Sequence, residues 1–248
     1  MSYYNTQETE KRLANVRQIL RDKHLDAALV YFDELNVANG WYLTGWCGQF
    51  EKGAVLVPVE GEPILLGGPE SEPFAKAESA ITKVRCFPVF MVPEEEYPNA
   101  TIIDFAQLNA ELKAEGTELK RIGLVGTTTI PHQVYLDFSA GFEGVELVDI
   151  TDEYEDLRAY KSQWEVEQLK ASAALCDKAY DEMLAAIKPG AYEFEVAAAG
   201  EAICRKNGAH SFAYSCIVGS GARAKAVVPT ATNRQMQDGE LVMIGIAP

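Results

Sequence analysis

The chain reads as an α/β domain with a mixed sheet, followed by the opening of an α+β domain. Three observations carry that reading. Up to about residue 150, short apolar runs bounded by Gly alternate with amphipathic stretches, the pattern of strands and crossover helices. Near residue 155 the composition changes, and a long helical stretch starts behind Ser162 and Glu165, spaced as a capping box. Two helices and two strands then follow before Pro248, too few elements to cover both edges of a sheet. Two domains are therefore expected, 1–155 and 156–248, the second incomplete.

Residues 6–24 place Leu13, Val16, Ile19 and Leu20 at helical spacing among charges. Residues 26–32 form an apolar run expected to be a buried strand, and Asn39-Gly40-Trp41-Tyr42-Leu43-Thr44-Gly45 follows it. Strands are expected at 53–58 and 62–67, joined by a turn at Glu60-Gly61-Glu62. A helix over 70–80, a strand over 83–90 and an amphipathic helix over 101–115 come next. Residues 121–126 read as a buried strand, 131–141 as a helix and 145–149 as a strand. The long helix 162–187 carries the stripe Leu169, Ala173, Cys176, Tyr180, Leu184 and Ile187, and Lys188-Pro189-Gly190 stops it. A second helix spans 193–206 with Gly208 as its expected C-cap, and strands are expected at 212–218 and 240–246.

Composition narrows the function classes. The chain has 248 residues, 48% of them hydrophobic, which is enough for sizeable cores. It carries 22 basic against 37 acidic residues, a net charge of −15. Such a surface repels phosphate backbones and anionic bilayers, so neither nucleic acid nor membrane is an expected partner. The polar start Met1-Ser2-Tyr3-Tyr4-Asn5 lacks a signal-peptide pattern, and no apolar run reaches spanning length, so a cytoplasmic protein is expected. Cys47, Cys86, Cys176, Cys204 and Cys216 are dispersed without a C-x-x-C pair and read as reduced core thiols.

Several residues stand out as candidates. His210 lies at a helix-to-strand junction and titrates near neutrality, which suits an acid/base group; the plain alternative is a capping His. Phe212 beside it is a candidate substrate contact. Trp46, Gln49 and Phe50 put aromatic rings beside an amide in one loop, suited to lining a small-molecule pocket, although such rings are commonly core. Cys216 has no neighbouring base and reads as packing, and Glu94-Glu95-Glu96 as a solvated run.

Four motifs occur in order: Asn39 to Gly45 ending in Tyr-Leu-Thr-Gly, Leu157-Arg158-Ala159-Tyr160-Lys161-Ser162 followed by Glu165, Lys188-Pro189-Gly190 followed by Glu193, and Ser220-Gly221-Ala222-Arg223. Together they resemble the M24 superfamily of creatinase, aminopeptidase P and prolidase. The resemblance implies a creatinase-type N-terminal domain, the first part of a pita-bread catalytic domain, and a homodimer. It places Ser220 and Arg223 in the loop beside substrate, where Gly permits close backbone approach and Arg suits a carboxylate. Peptidases of the superfamily hold two metals with two Asp, one His and two Glu. Here the first Asp position is Gly245 and the loop His falls on Val228 or a neighbour. Creatinase also lacks the metals, and its corresponding strand closes in Pro, as Ile246-Ala247-Pro248 does.

The expectation is a hydrolase of a C–N bond in a small amino-acid-like or peptide-like substrate. No metal ligand is expected in this span, so a divalent metal would need ligands beyond residue 248. Two alternatives stay open: an Xaa-Pro aminopeptidase or dipeptidase, and a catalytically silent pita-bread binding module. Residues 241–246 are expected to end at a cleft facing residues 220–223 and His210.

Overall fold

The structure is a computed structural model, and it describes residues 4–93 and 96–248. The start of the chain at 1–3 and two of the three glutamates expected to be solvated, Glu94 and Glu95, lie outside the described residues. The chain divides into two compact units, Met1–Tyr160 and Lys161–Pro248.

The first unit is built on β1 (Ala27–Phe32), whose six residues are all buried. Alternation along it feeds two cores. Ala27, Leu29 and Tyr31 face one, while Ala28, Val30 and Phe32 face the other. On one side β1 pairs antiparallel with β2 (Gly53–Pro58), which pairs antiparallel with β3 (Ile64–Gly67) through a turn where Gly61 has φ 104°. Beyond β3 lies the parallel strand β4 (Val84–Cys86). On the other side β1 runs parallel to β5 (Arg121–Val125), and β5 to β6 (Glu146–Asp149). The sheet order is β4-β3-β2-β1-β5-β6. Asp26 fastens its middle, because Oδ2 accepts from the backbone N–H groups of Lys120 (2.7 Å) and Arg121 (2.8 Å).

Helices cover both faces. α1 (Thr6–Asp22) starts on Asn5, whose side chain accepts from Gln7 and Glu8 N–H, and buries Val16 and Leu20. α2 (Val37–Thr44) ends at Gly45 in the left-handed region. α3 is Glu72–Glu78. The expected helix over 101–115 is α4 (Phe105–Ala114), begun by an Asp104–Gln107 capping box. α5 is His132–Gly141. Phe105 stacks on Phe87 at 4.4 Å and meets Phe138 edge-on at 4.8 Å, making an aromatic core on one side of the sheet. The stretch expected as one strand over 83–90 is instead β4 followed by a 3-10 turn at Pro88–Phe90. Pro88 has no N–H for a ladder, which ends the strand. A helix the sequence reading had not placed, α6 (Thr151–Ala159), closes the unit with Tyr154 fully buried.

In the second unit α7 (Gln163–Ala186) begins at the expected capping box, with Ser162 N donating to Glu165 (2.8 Å) and Glu165 N to Ser162 Oγ (3.2 Å). Its buried face differs from the expected stripe. Ala179 and Met183 are buried, whereas Leu169, Tyr180 and Leu184 are about half exposed. The reason is α8 (Glu193–Lys206), whose Gly200 lets Met183 come within 2.7 Å of where a Cβ would stand. Residues 212–216 are not a strand; β7 is Ile217–Ser220, antiparallel to β8 (Val242–Gly245).

Candidate functional site

The second unit is organised around a carboxylate that motif reading used only as a family landmark. Glu193 opens α8 and is fully buried. Its Oε1 accepts from Ser220 N–H and Oγ, both at 2.8 Å. Its Oε2 accepts from Thr232 Oγ1 (2.6 Å), Thr232 N–H (3.1 Å) and Arg223 Nε (3.1 Å). Burial by itself would raise the carboxyl, but the bonds from Thr232 and Ser220 and the Arg223 charge more than offset it and hold it below the usual range. A second ion pair locks the neighbouring turn. Arg234 grips Glu240 with two nitrogens and donates to Ser220 Oγ at 2.6 Å. Gly221, at φ 53°, leaves no room for a side chain, since a Cβ would stand 2.3 Å from Glu240 Oε1.

This knot fixes what Ser220 and Arg223 can do. Ser220 is fully buried, so its hydroxyl supports the loop rather than facing a ligand. Arg223 bonds Glu193 through Nε and Thr230 O through Nη2 (2.5 Å). Its side-on edge, the one that would grip a carboxylate, is thus already occupied.

The remaining candidates fall into separate settings. His210 is exposed, and its carbonyl accepts from Arg205 Nη1. Phe212 lies under the Arg205 guanidinium, 4.9 Å from ring centre to Cζ, and lines an open cleft of about 610 Å³ with Glu201 and Tyr214. In the first unit Trp46 is buried edge-on against Phe32 at 6.5 Å and belongs to the core. Gln49 is exposed, and Phe50 is 71% exposed with φ 66°, a conformation bulky residues avoid. A buried carboxylate holds this loop too: Glu51 accepts from Glu70 N–H (3.2 Å) and Ser71 N–H (2.7 Å). Neither Glu51 nor Glu193 stands out by periodicity, although each follows an aromatic residue in a short polar stretch.

The register of β7 with β8 corrects one expectation. Ser220 pairs with Val242, and Ile217 with Gly245. The end of β8 therefore lies at the opposite end of the pair from residues 220–223, about 10 Å along the strand. It meets Ala213, whose N–H donates to Ala247 O at 2.9 Å, and Tyr214. Val227 and Val228 are exposed at 81% and 69%. Cys216 is buried, and burial lifts its thiol to about 11, as expected of a packing residue.

No helix among the described residues is long and apolar enough to cross a membrane. Residues 12–160 match the creatinase/prolidase N-terminal domain family, and residues 167–248 match metallopeptidase family M24. The chain is 27% identical over 233 residues to the uncharacterized peptidase YqhT of Bacillus subtilis, covering 94% of this chain and 60% of that protein. It is 28% identical over 161 residues to the Xaa-Pro dipeptidase of Pyrococcus furiosus, 62% of this chain and 45% of the relative. Among solved structures, X-Pro aminopeptidase from Thermotoga maritima aligns with a TM-score of 0.77 at 23% identity, over 94% of this chain and 60% of that one. Prolidase from Pyrococcus furiosus aligns at 0.72 with 25% identity, over 94% and 65%. The chain thus spans about 60% or less of the curated relatives it matches.

The family description implies a metal, and the side chains at the end of β8 do not fit one. Gly245 has no donor, and its nearest neighbours are Ile217 and the Tyr214 hydroxyl. Among the described residues no three His, Cys, Asp or Glu side chains gather into a metal-holding group. Fold, ordered motifs and both family matches agree: the chain belongs to the creatinase/prolidase N-terminal domain family, and its second unit is the start of an M24-superfamily catalytic domain.

Proposed function

We propose that the chain contributes the first part of a homodimeric hydrolase for a C–N bond in a small amino-acid-like or peptide-like molecule. The dinuclear metal centre is not formed in this half. The Glu193 knot carries the proposal, because it holds the loop after β7 in one shape with internal donors alone. A loop fixed in advance does not spend binding energy on ordering. Gly245 supports the metal part of the reading, since it offers no ligand at the end of β8. Any divalent ion would then depend on ligands beyond residue 248.

A second reading has its own support, for two curated relatives are named Xaa-Pro dipeptidases. One set of assays separates the two. The purified protein is tested for hydrolysis of amidino, ureido and Xaa-Pro dipeptide substrates, with and without chelator and added manganese, alongside elemental analysis. Turnover that survives chelation supports the proposal. Tightly bound transition ions together with manganese-dependent Xaa-Pro cleavage favour the dipeptidase. Absence of turnover on all three classes favours a binding module. Gly245→Asp supplies a further check. The Cβ would have ordinary contacts at 3.5 Å to Ile217, so the variant should fold and still gain no metal-dependent peptidase activity.

A further inference from the structure

The first unit has an opening that the motifs did not announce. It lies beyond the carboxyl ends of β1 and β5, the parallel neighbours in mid-sheet. From β1 the chain leads through α2 to β2 on one side; from β5 it leads through α5 to β6 on the other. Such a reversal of direction leaves a crevice at which open α/β sheets hold ligands. The cavity here measures about 240 Å³. That is below the roughly 300–1,000 Å³ of sites for drug-sized molecules, and it suits something the size of an amino acid.

Its lining is polar and incompletely satisfied. Asn39, on the first turn of α2, is 7% exposed, and its Oδ1 has no hydrogen-bond partner among the described residues. Arg158, from α6, also lines the cavity, and its Nε is buried and unpartnered in the same sense. The Arg158 guanidinium reaches Glu155 only at 3.8 Å through Nη2, so the pair leaves Nε itself unpartnered. α2 has no side-chain cap, and its first-turn residues Val37, Ala38 and Asn39 line the same space, as does Thr129. Buried polar groups of this kind are ordinarily satisfied, so two at one opening point to an occupant.

The chemistry of the lining selects that occupant. Arg158 and the start of α2 call for an anionic group. The Asn39 carbonyl and the Glu155 carboxylate at the rim call for a donor, preferably cationic. We propose that this cleft binds a small zwitterion of the amino-acid class, with its carboxylate on Arg158 and the first turn of α2 and its ammonium on Asn39 and Glu155. The site is built entirely within the first unit and does not rest on the hydrolase reading, which stands or falls by turnover.

The test uses the full chain, ¹⁵N-labelled, titrated with L-alanine, acetate, ethylammonium or inorganic phosphate up to about 50 mM, a range that detects millimolar binding. L-Alanine should shift the amides of residues 37–39 and Thr129 in a saturable way, and acetate and ethylammonium should bind at least about tenfold more weakly. Arg158→Lys keeps the charge but removes Nε, and Asn39→Leu removes the amide. Each should weaken L-alanine by about tenfold or more with the remaining spectrum unchanged. Lack of saturable shifts with L-alanine overturns the proposal. So does binding of acetate or phosphate as tight as that of L-alanine, or L-alanine shifts confined to other residues. The titration of the unaltered chain decides the matter even if a variant does not fold.

Discussion

Replacing Glu193 by Gln probes the knot directly, because the change keeps the shape and removes the charge. The amide oxygen can retain the two Ser220 bonds. The new NH₂ group then faces Thr232 N–H, Thr232 Oγ1 and Arg223 Nε, all of which now donate. The Thr232 hydroxyl can turn and accept, but its N–H cannot. A buried donor left without a partner costs about 1–3 kcal/mol, and the bonds that remain lose their charge assistance. Arg223 is 37% exposed, so solvent screening leaves its share small. The sum is about 3 kcal/mol, which for a chain of this size lowers Tm by about 6–12 °C. Acid adds a second signature. The folded carboxyl titrates below its ordinary 4.5, so the charge contributes fully above about pH 4.5 and is lost as pH falls through the lower folded value. The Tm gap between the parent chain and Glu193→Gln should therefore be widest at neutral pH and narrow in acid. Exposed Glu195, whose carboxylate caps Tyr192 N–H at 2.8 Å, provides the control, and its Gln variant should stay within about 0.5 kcal/mol of the parent. A Glu193→Gln chain that melts with the parent at pH 7 would show that the five bonds hold nothing together.

Phe50 sits at φ 66° with its ring 71% exposed, so Phe50→Gly should stabilise the chain by about 1 kcal/mol in chemical denaturation while raising KM for any substrate the ring touches. A drop in stability would mean that the ring is packed. Thiol chemistry offers another check. Burial lifts Cys86 to about 12 and Cys216 to about 11, so at pH 8 on the order of one part in a thousand or less of either is thiolate. Iodoacetamide mass spectrometry of the folded chain should find both unmodified while Cys176, which is partly exposed, reacts.

The parts of this fold legible in sequence were those written in local chemistry. The Ser162–Glu165 capping box, the Gly61 turn and the all-apolar run of β1 each declare themselves within a few residues. The site was less legible because its geometry is non-local. Glu193 meets partners 27 to 39 residues away, and although its spacing from Lys188-Pro189-Gly190 marks it as a landmark, nothing nearby shows that it is buried while Glu195 is exposed. Arg223 reads in the sequence as a clamp for a carboxylate, but the carboxylate it meets is Glu193, a partner invisible until the strands pair. The α7 stripe failed for a related reason. Periodicity finds an apolar face, but Gly200 on α8 decides which residues of that face are covered. Strand limits near Pro88 and residues 212–216 moved because single residues lack a ladder donor or are claimed by another segment, as Ala213 is by Ala247.

Asp26 carries a consequence for how the first unit comes together in time. Its carboxylate reaches across 94 and 95 residues to Lys120 and Arg121, at the seam where β1 accepts β5 as a parallel neighbour. The β2-β3 hairpin can zip from its own short turn and β1 joins it across the α2 segment, whereas this seam must wait for a far longer excursion of chain to return, and loop-closure entropy opposes it until the return is complete. The parallel half of the sheet is then the late event of folding. A loss at Asp26 should accordingly be felt in how fast the unit opens rather than in how fast it first collapses.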